Sequence, residues 1–239
     1  MYNDFANIYD LVMRDTPYDD WVEYYCSVFK KFNKEPKLIL DMGCGTGNIT
    51  ERMQNKGFDM IGLDASAEML SHAKEKNSDI LYLLMDMTDF ELYGTVDAIV
   101  SSLDCMNYVT ENIDKVFRLV YNYLNPGGLF IFDINSAYKL RHVFGNETIV
   151  CDEEDIFYTW ENEIDDNLCH FYITFFVKNE KGNYERCDEY QTQRIYTVEE
   201  LTLAAEKAGL CVHGVFDDLS FESPKENSER LLFVVGKEK

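Results

Sequence analysis

Basic residues are scarce in this chain of 239 residues: 22 Lys and Arg stand against 44 Asp and Glu, for a formal net charge of −22. A protein that grips nucleic acid neutralises phosphates with lysine and arginine, so nucleic acid is not expected as a main partner. An anionic membrane surface is disfavoured by the same repulsion. Apolar runs long enough to span a bilayer are missing. The opening MYNDFANIYDLVMRD lacks a basic head followed by an apolar stretch, so no secretory signal is expected and the cytoplasm is the expected location. Proline occurs four times and histidine four times. The seven cysteines are odd in number, scattered, and never spaced C-x-x-C. They read as reduced core thiols, and no metal is expected.

Apolar residues make up 46% of the sequence and aromatics 14%, enough for a sizeable core. The chain opens helical, with a start at Thr16-Pro17 and Trp21, Tyr24, Val28, Phe29 and Phe32 at helical spacing. Beyond Pro36, short apolar runs alternate with amphipathic segments. Strands are expected at Leu38–Leu40, Met60–Leu63, Ile80–Met85, Val96–Ser101 and Leu129–Phe132. Asn125-Pro126-Gly127-Gly128 reads as the break before the fifth. Near-continuous apolar strands separated by helices predict a parallel sheet covered on both faces, a doubly wound α/β architecture.

After Asn135 the pattern changes. Asp155–Ile164, Leu168–Asn179 and Tyr184–Ile195 are rich in β-formers and separated by Asp-Asp-Asn and Lys-Gly-Asn turn signals. They predict an antiparallel meander inserted into the α/β unit. A capping box at Thr197–Glu200 then starts a helix, and two closing strands follow near Val212–Phe216 and Leu231–Val235. The expected organisation is an N-terminal helical cap over 1–35, an α/β domain over 36–137 and 196–239, and a β insert over 138–195.

The segment LILDMGCGTGNIT, Leu38 to Thr50, is a strand, a glycine-rich turn and a helix start. Gly43, Gly45 and Gly47 permit a sharp turn and a close approach of ligand to main-chain amides. The third glycine comes one residue too early for a dinucleotide fingerprint, and the Lys-Ser/Thr ending of a P-loop is absent. Asp64 ends the second strand nineteen positions after Gly45, near the spacing of a ribose-binding acid. Asp41, Asp86 and Asp104 stand at or after the ends of the first, third and fourth strands, where open parallel sheets bind ligands.

LDMGCGTG followed by GLDAS, LMDM and LNPGGLFIFD resembles the class I S-adenosylmethionine-dependent methyltransferases. FANIYDLVM, PYDDW and the insert resemble the small-molecule branch with its sugar-amine and glycine/sarcosine N-methyltransferases. The resemblance implies a Rossmann-like seven-stranded sheet of order 3-2-1-4-5-7-6 with the last strand antiparallel. It also implies S-adenosylmethionine as cofactor and S-adenosylhomocysteine as product. Asp41 and the loop Gly43, Cys44, Gly45, Gly47 would meet the methionine moiety, and Asp64 the ribose. Ala65 or Met69 would pack near the adenine, with Asp86 and the Met87 amide at its amino edge. Ser102 and Leu103 would lie beside the sulfonium, and Tyr9 would close the cofactor from the N-terminal helix.

The expected reaction is methyl transfer to a small-molecule acceptor, an amine nitrogen ahead of oxygen or carbon. Candidates for acceptor contact are Asp104, Asn107 and Tyr108 after the fourth strand, Asn135 after the fifth, and Trp160, Tyr172 and Tyr190 on the insert. Asp104, His170 and His142 are the candidate bases, although a lone histidine on a strand is as readily structural. Asp152–Asp166 carries eight acids and no lysine or arginine, read as a solvated face or as a funnel for a cationic substrate. Alternatives are a methyltransferase acting on protein or RNA, a binding module without turnover, and a nicotinamide-dependent oxidoreductase. SSLDCMNYV after the fourth strand lacks the Asn/Asp-Pro-Pro-Tyr/Phe signature of many nucleic-acid and protein amide methyltransferases. The chain is expected as a monomer or homodimer.

Overall fold

The computed structural model describes residues 5–239, and the first four residues of the predicted helical cap lie outside them. Two helices lead, α1 (Phe5–Val12) and α2 (Tyr18–Lys31). Five parallel strands follow: β1 (Leu38–Met42), β2 (Asp59–Asp64), β3 (Leu81–Leu84), β4 (Val96–Ser101) and β5 (Leu124–Asn135). Helices α3 (Asn48–Asn55), α4 (Ala67–Lys76) and α5 (Ile113–Tyr123) lie between them. Helix α6 (Val198–Lys207) carries the expected capping box at Thr197 and Glu200, and β10 (Cys211–Asp217) and β11 (Arg230–Gly236) close the sheet.

The seven-stranded order is β10-β11-β5-β4-β1-β2-β3, with β11 antiparallel to β5 and β10. This is the 3-2-1-4-5-7-6 order expected, β10 and β11 being its sixth and seventh strands. Its central strands β1, β4, β5 and β11 are buried on both faces, while the edge strands β3 and β10 are partly exposed. Ile39, Val100, Ile131 and Val234 pack under α2 and α3, while their neighbours Leu40, Ile99, Phe132 and Phe233 pack under α5 and α6. On the second face Phe130, Phe132 and Phe233 form a ladder of stacked rings with centroids 4.8 Å apart.

A separate antiparallel sheet of order β6-β7-β8-β9 comprises β6 (Thr148–Asp152), β7 (Ile156–Asp165), β8 (Leu168–Lys178) and β9 (Tyr184–Arg194). Three of these match the expected meander, and β6 is an addition whose five residues gave too short a signal. Strand β5 also begins earlier than expected. Leu124 pairs with Val96 across an irregular register, so the Asn-Pro-Gly-Gly break lies inside the strand. Period-two alternation in β8 buries Cys169, Phe171, Ile173, Phe175 and Val177 on one face. That face packs with Ile8 of α1 and Leu140 of a π-helical turn, Lys139–Phe144. No helix among the described residues is long and apolar enough to cross a membrane.

Candidate functional site

The glycine-rich loop is shaped by backbone angles that side chains resist. Gly43, Gly45 and Gly47 have φ of +81°, +53° and +78°. At Gly43 a Cβ would approach Cys105 Sγ to 2.8 Å, whereas at Gly45 a Cβ would meet nothing within 4 Å. The loop is tied to the end of β2: Gly43 N and Cys44 N donate to Leu63 O at 2.7 and 3.0 Å. Gly45 N donates to Asp64 Oδ2 at 2.8 Å, and Ser66 N to Asp64 Oδ1 at 2.9 Å. Burial raises the Asp64 carboxyl above its ordinary range against the pull of these amides.

Beside the loop opens a cleft of about 340 Å³. Asp64 and Ala65 line it from the end of β2, Met85–Thr88 from the end of β3, and Gly43 with Cys105 from the sheet centre. Tyr108–Glu111 complete it. Asp86 lies exposed at its rim, one oxygen accepting from the backbone N–H and hydroxyl of Thr88, each at 2.7 Å. Met69 is half-buried on α4 and is not among the residues that line the cleft. Of the expected pair, the cleft therefore has Ala65.

A narrow channel continues from the cleft, lined by Tyr9, Tyr18, Asp41, Gly43–Thr46, Asn48, Ile49, Ser102, Leu103 and Cys105. Helix α1 is clamped over this channel through Asp10, which accepts from Thr46 Oγ1 at 2.7 Å, Asn48 Nδ2 at 2.9 Å and Lys76 Nζ at 2.6 Å. Burial alone would raise the Asp10 carboxyl, but these three partners bring it below the ordinary value. Asp41 is 1% exposed and accepts from Thr50 Oγ1 at 2.6 Å; burial pushes its carboxyl up to about 7. Ser102 Oγ hydrogen-bonds the buried Tyr25 hydroxyl at 2.6 Å.

Directly after β4, Leu103 and Asp104 both adopt left-handed backbone, with φ of +60° and +57°. Such angles cost non-glycine residues about 1–3 kcal/mol each and persist only when their surroundings impose them. Here Asp104 N donates to Asp133 Oδ2 at 2.9 Å, and Arg230 bridges both carboxylates. Gln193 Nε2 donates to the second oxygen of Asp104 at 2.7 Å. Asp133 is fully buried, and burial pushes its carboxyl up to about 6 despite Arg230. Asp104, a candidate base in the sequence, has both oxygens committed.

A second cavity of about 300 Å³ lies under the inner face of the four-stranded sheet. Tyr9 and Leu103 belong to its wall as well as to the channel's, so the two spaces adjoin. Asp104, Tyr108, Asn135 and Trp160 line it as the sequence suggested. Asn107 does not: it is fully buried, donating to Asn135 O and Arg194 O and accepting from Asn135 N. The other insert candidates are corrected by the strand's pleat. His170, Tyr172 and Tyr190 lie on the outer face, with His170 Nδ1 held between Thr192 Oγ1 at 3.0 Å and the Tyr190 hydroxyl at 2.8 Å. His142 is exposed and stands against Tyr138, also away from the cavity. All eight acids of Asp152–Asp166 are exposed, and none lines either cavity.

Several lining residues were not singled out in the sequence: Phe5, Lys139, Phe144, Gln191, Gln193 and Arg230. The alternation of β8 was a signal for the inner-face rings. Lys139 and Arg230 gave none, since each is an isolated cation far from any motif.

These spaces fit the cofactor that the resemblance implies. The room left above Gly45, the half-buried acid at the end of β2 and the joined cleft and channel are a cradle for a nucleoside with a zwitterionic tail. A family model described as a methyltransferase domain matches residues 39–128. A putative methyltransferase of Bacillus subtilis (strain 168), YqeM, is 36% identical over 247 residues, covering 100% of this chain and 98% of its own. The crystal structure of an S-adenosylmethionine-dependent methyltransferase from Clostridium acetobutylicum ATCC 824 superposes with a TM-score of 0.92 at 34% identity, covering 100% of this chain and 99% of that one. The dTDP-3-amino-3,4,6-trideoxy-alpha-D-glucopyranose N,N-dimethyltransferase of Streptomyces venezuelae is 29% identical over 134 residues, 54% of this chain and 56% of its own. With the sheet order, the loop and the full-length relatives in agreement, this chain belongs to the class I S-adenosylmethionine-dependent methyltransferases.

Proposed function

We propose that the protein methylates the amine nitrogen of a small molecule held in the cavity beneath the four-stranded sheet. The observation that carries this reading is the shared wall of Tyr9 and Leu103, where the cavity adjoins the end of the cofactor channel. When bound, S-adenosylmethionine supplies a methyl group already activated on its sulfonium. The chain's task is then to position a nucleophile in line and to exclude water, worth roughly 7–11 kcal/mol of barrier in favourable cases. Asp64 accepts from ribose hydroxyls, and Asp86 and the Met87 amide meet the adenine edge. Asp41 and the glycine loop hold the methionine moiety, while Ser102, Leu103 and Tyr9 enclose the sulfonium end.

The protonation chemistry favours nitrogen. Asp104 is the one carboxylate among the described residues lining the cavity, and its oxygens are taken by Arg230 and Gln193. No histidine is among the lining residues. A neutral amine attacks without a committed base and releases its proton to water afterwards, whereas a phenol or alcohol needs a base at hand. The Streptomyces relative, whose name assigns it to an amino sugar, agrees with this choice. The test is transfer of labelled methyl from S-adenosylmethionine to matched panels of primary amines, phenols and alcohols. Product confined to the phenols or alcohols would sink the amine reading.

A further inference from the structure

The polar atoms of the second cavity carry a direction that can be traced from one end. Asp104 only accepts, so the Gln193 amide 2.7 Å from its Oδ2 must present Nε2. Gln193 Oε1 then faces Asn135, whose Nδ2 donates to it at 3.0 Å. What remains is Asn135 Oδ1, an acceptor, buried without a partner on a residue only 3% exposed. From the insert sheet, Trp160 brings the opposite need: its Nε1 donor is buried and unpartnered. Both orphans belong to residues that line this one cavity, and a ligand atom reaching either one would complete its hydrogen bonding.

Charge adds a third requirement. The Lys139 ammonium lines the same cavity and, among the described residues, makes no hydrogen bond or ion pair; it stands 5.2 Å above the Phe144 ring. Around it stand three carboxylates, Asp104, Asp133 and Glu229, and one other cation, Arg230, which bonds Asp104 and Asp133; none of the three carboxylates bonds Lys139. In a chain with twice as many acids as bases, a half-buried unpaired cation is an exception. Phe144 meets Trp160 at 5.6 Å, and Trp160 meets Phe171 edge-on at 5.2 Å, a wall of rings suited to a flat apolar body.

Resting on the amine reading of this cavity, we infer that the acceptor is an aromatic amine-carboxylate: its N–H donates to Asn135 Oδ1, its ring lies among Phe144, Trp160 and Phe171, and its carboxylate is taken by Lys139 and Trp160 Nε1. One point charge and one N–H suit a carboxylate; phosphate sites recruit more donors and favour the arginine fork.

The test uses the full chain with S-adenosylhomocysteine present and titrates three probes: 4-(aminomethyl)benzoate, its methyl ester, and 4-methylbenzoate. The amine-carboxylate binds about tenfold or more tightly than either partial probe, the scale of one charged hydrogen bond. Lys139→Met brings it to the ester's affinity, and Lys139→Arg retains the preference. Equal binding of ester and acid, an unchanged affinity in Lys139→Met, or no binding of any probe overturns the inference. S-adenosylhomocysteine titrated into each variant reports folding and the cofactor cleft separately. Methyl transfer to neutral amines without preference for the acid removes the carboxylate alone; absence of transfer to every amine removes the reading beneath it.

Discussion

The two cavities of this protein differ in how their walls are recruited. The cleft and channel proposed for the cofactor draw mainly on Asp41–Thr88, consecutive strand ends and the turns after them. Their shape is set by main-chain amides, positive-φ glycines and acids placed where strands stop. The second cavity gathers side chains from α1, the loop after β4, the end of β5, the π-helical turn, the four-stranded sheet and β11. Its shape comes from packing among residues up to 225 positions apart, Phe5 and Arg230 being the extremes. A site made by local backbone geometry is written in short motifs. One made by side chains of distant segments is written only in the fold.

The comparison can be broken hardest at the seam between the two. Arg230→Met leaves Asp133, fully buried, without its cation, and the stability lost in urea unfolding is expected at about 3–5 kcal/mol. The same variant removes one of the restraints on the left-handed Leu103–Asp104 turn, so acceptor binding is expected to weaken along with stability.

Within the insert, the faces of β8 sharpen the distinction between lining and exposed rings. Phe171→Ala removes a buried ring from the wall and costs about 3–5 kcal/mol. Tyr172→Ala, one residue on and 44% exposed, shifts stability by about 0.5 kcal/mol or less and leaves methyl transfer intact. Equal effects in thermal unfolding would show that the pleat does not separate them.

In the cleft, Asp64→Ala weakens S-adenosylhomocysteine binding by about 1.5–3 kcal/mol, measured by calorimetry, as expected for a lost charged hydrogen bond. Affinity indifferent to Asp64 would remove it from the ribose site.

A pH slope is expected as well. Asp41 titrates at about 7 in the folded chain against 3.8 for an ordinary aspartate, so between these values the native state holds the proton more firmly than the unfolded one. Stability contributed by Asp41 therefore falls as pH rises from about 4 to 7. Asp41→Asn, which keeps an oxygen for Thr50, flattens that part of the profile; an unaltered slope in urea melts across this range would exclude Asp41 as its source.

The parallel strands were legible because most are continuous apolar runs bounded by a helix signal, as in Met60–Leu63 before the Ser66 cap, whereas their order in the sheet came from the family resemblance. The glycine loop was legible because positive φ at three alternate positions leaves little choice of residue. Met69 does not line the cleft, and its place after the second strand did not say which way it turns on its helix. His170, Tyr172 and Tyr190 were misplaced for a related reason. Alternation says which residues share a face, but not which face meets the core.

The sequence by itself thus determined the doubly wound sheet, the glycine-rich turn and the acids around it, since these follow from local periodicity and backbone angles. Only the tertiary structure decided which face of the insert roofs a cavity, that Asp104 is held by Arg230 and Gln193, and that Lys139 stands over Phe144 with no hydrogen bond or ion pair among the described residues. Those facts depend on long side chains from remote segments meeting in one small volume, and no local rule of the chain specifies such a meeting.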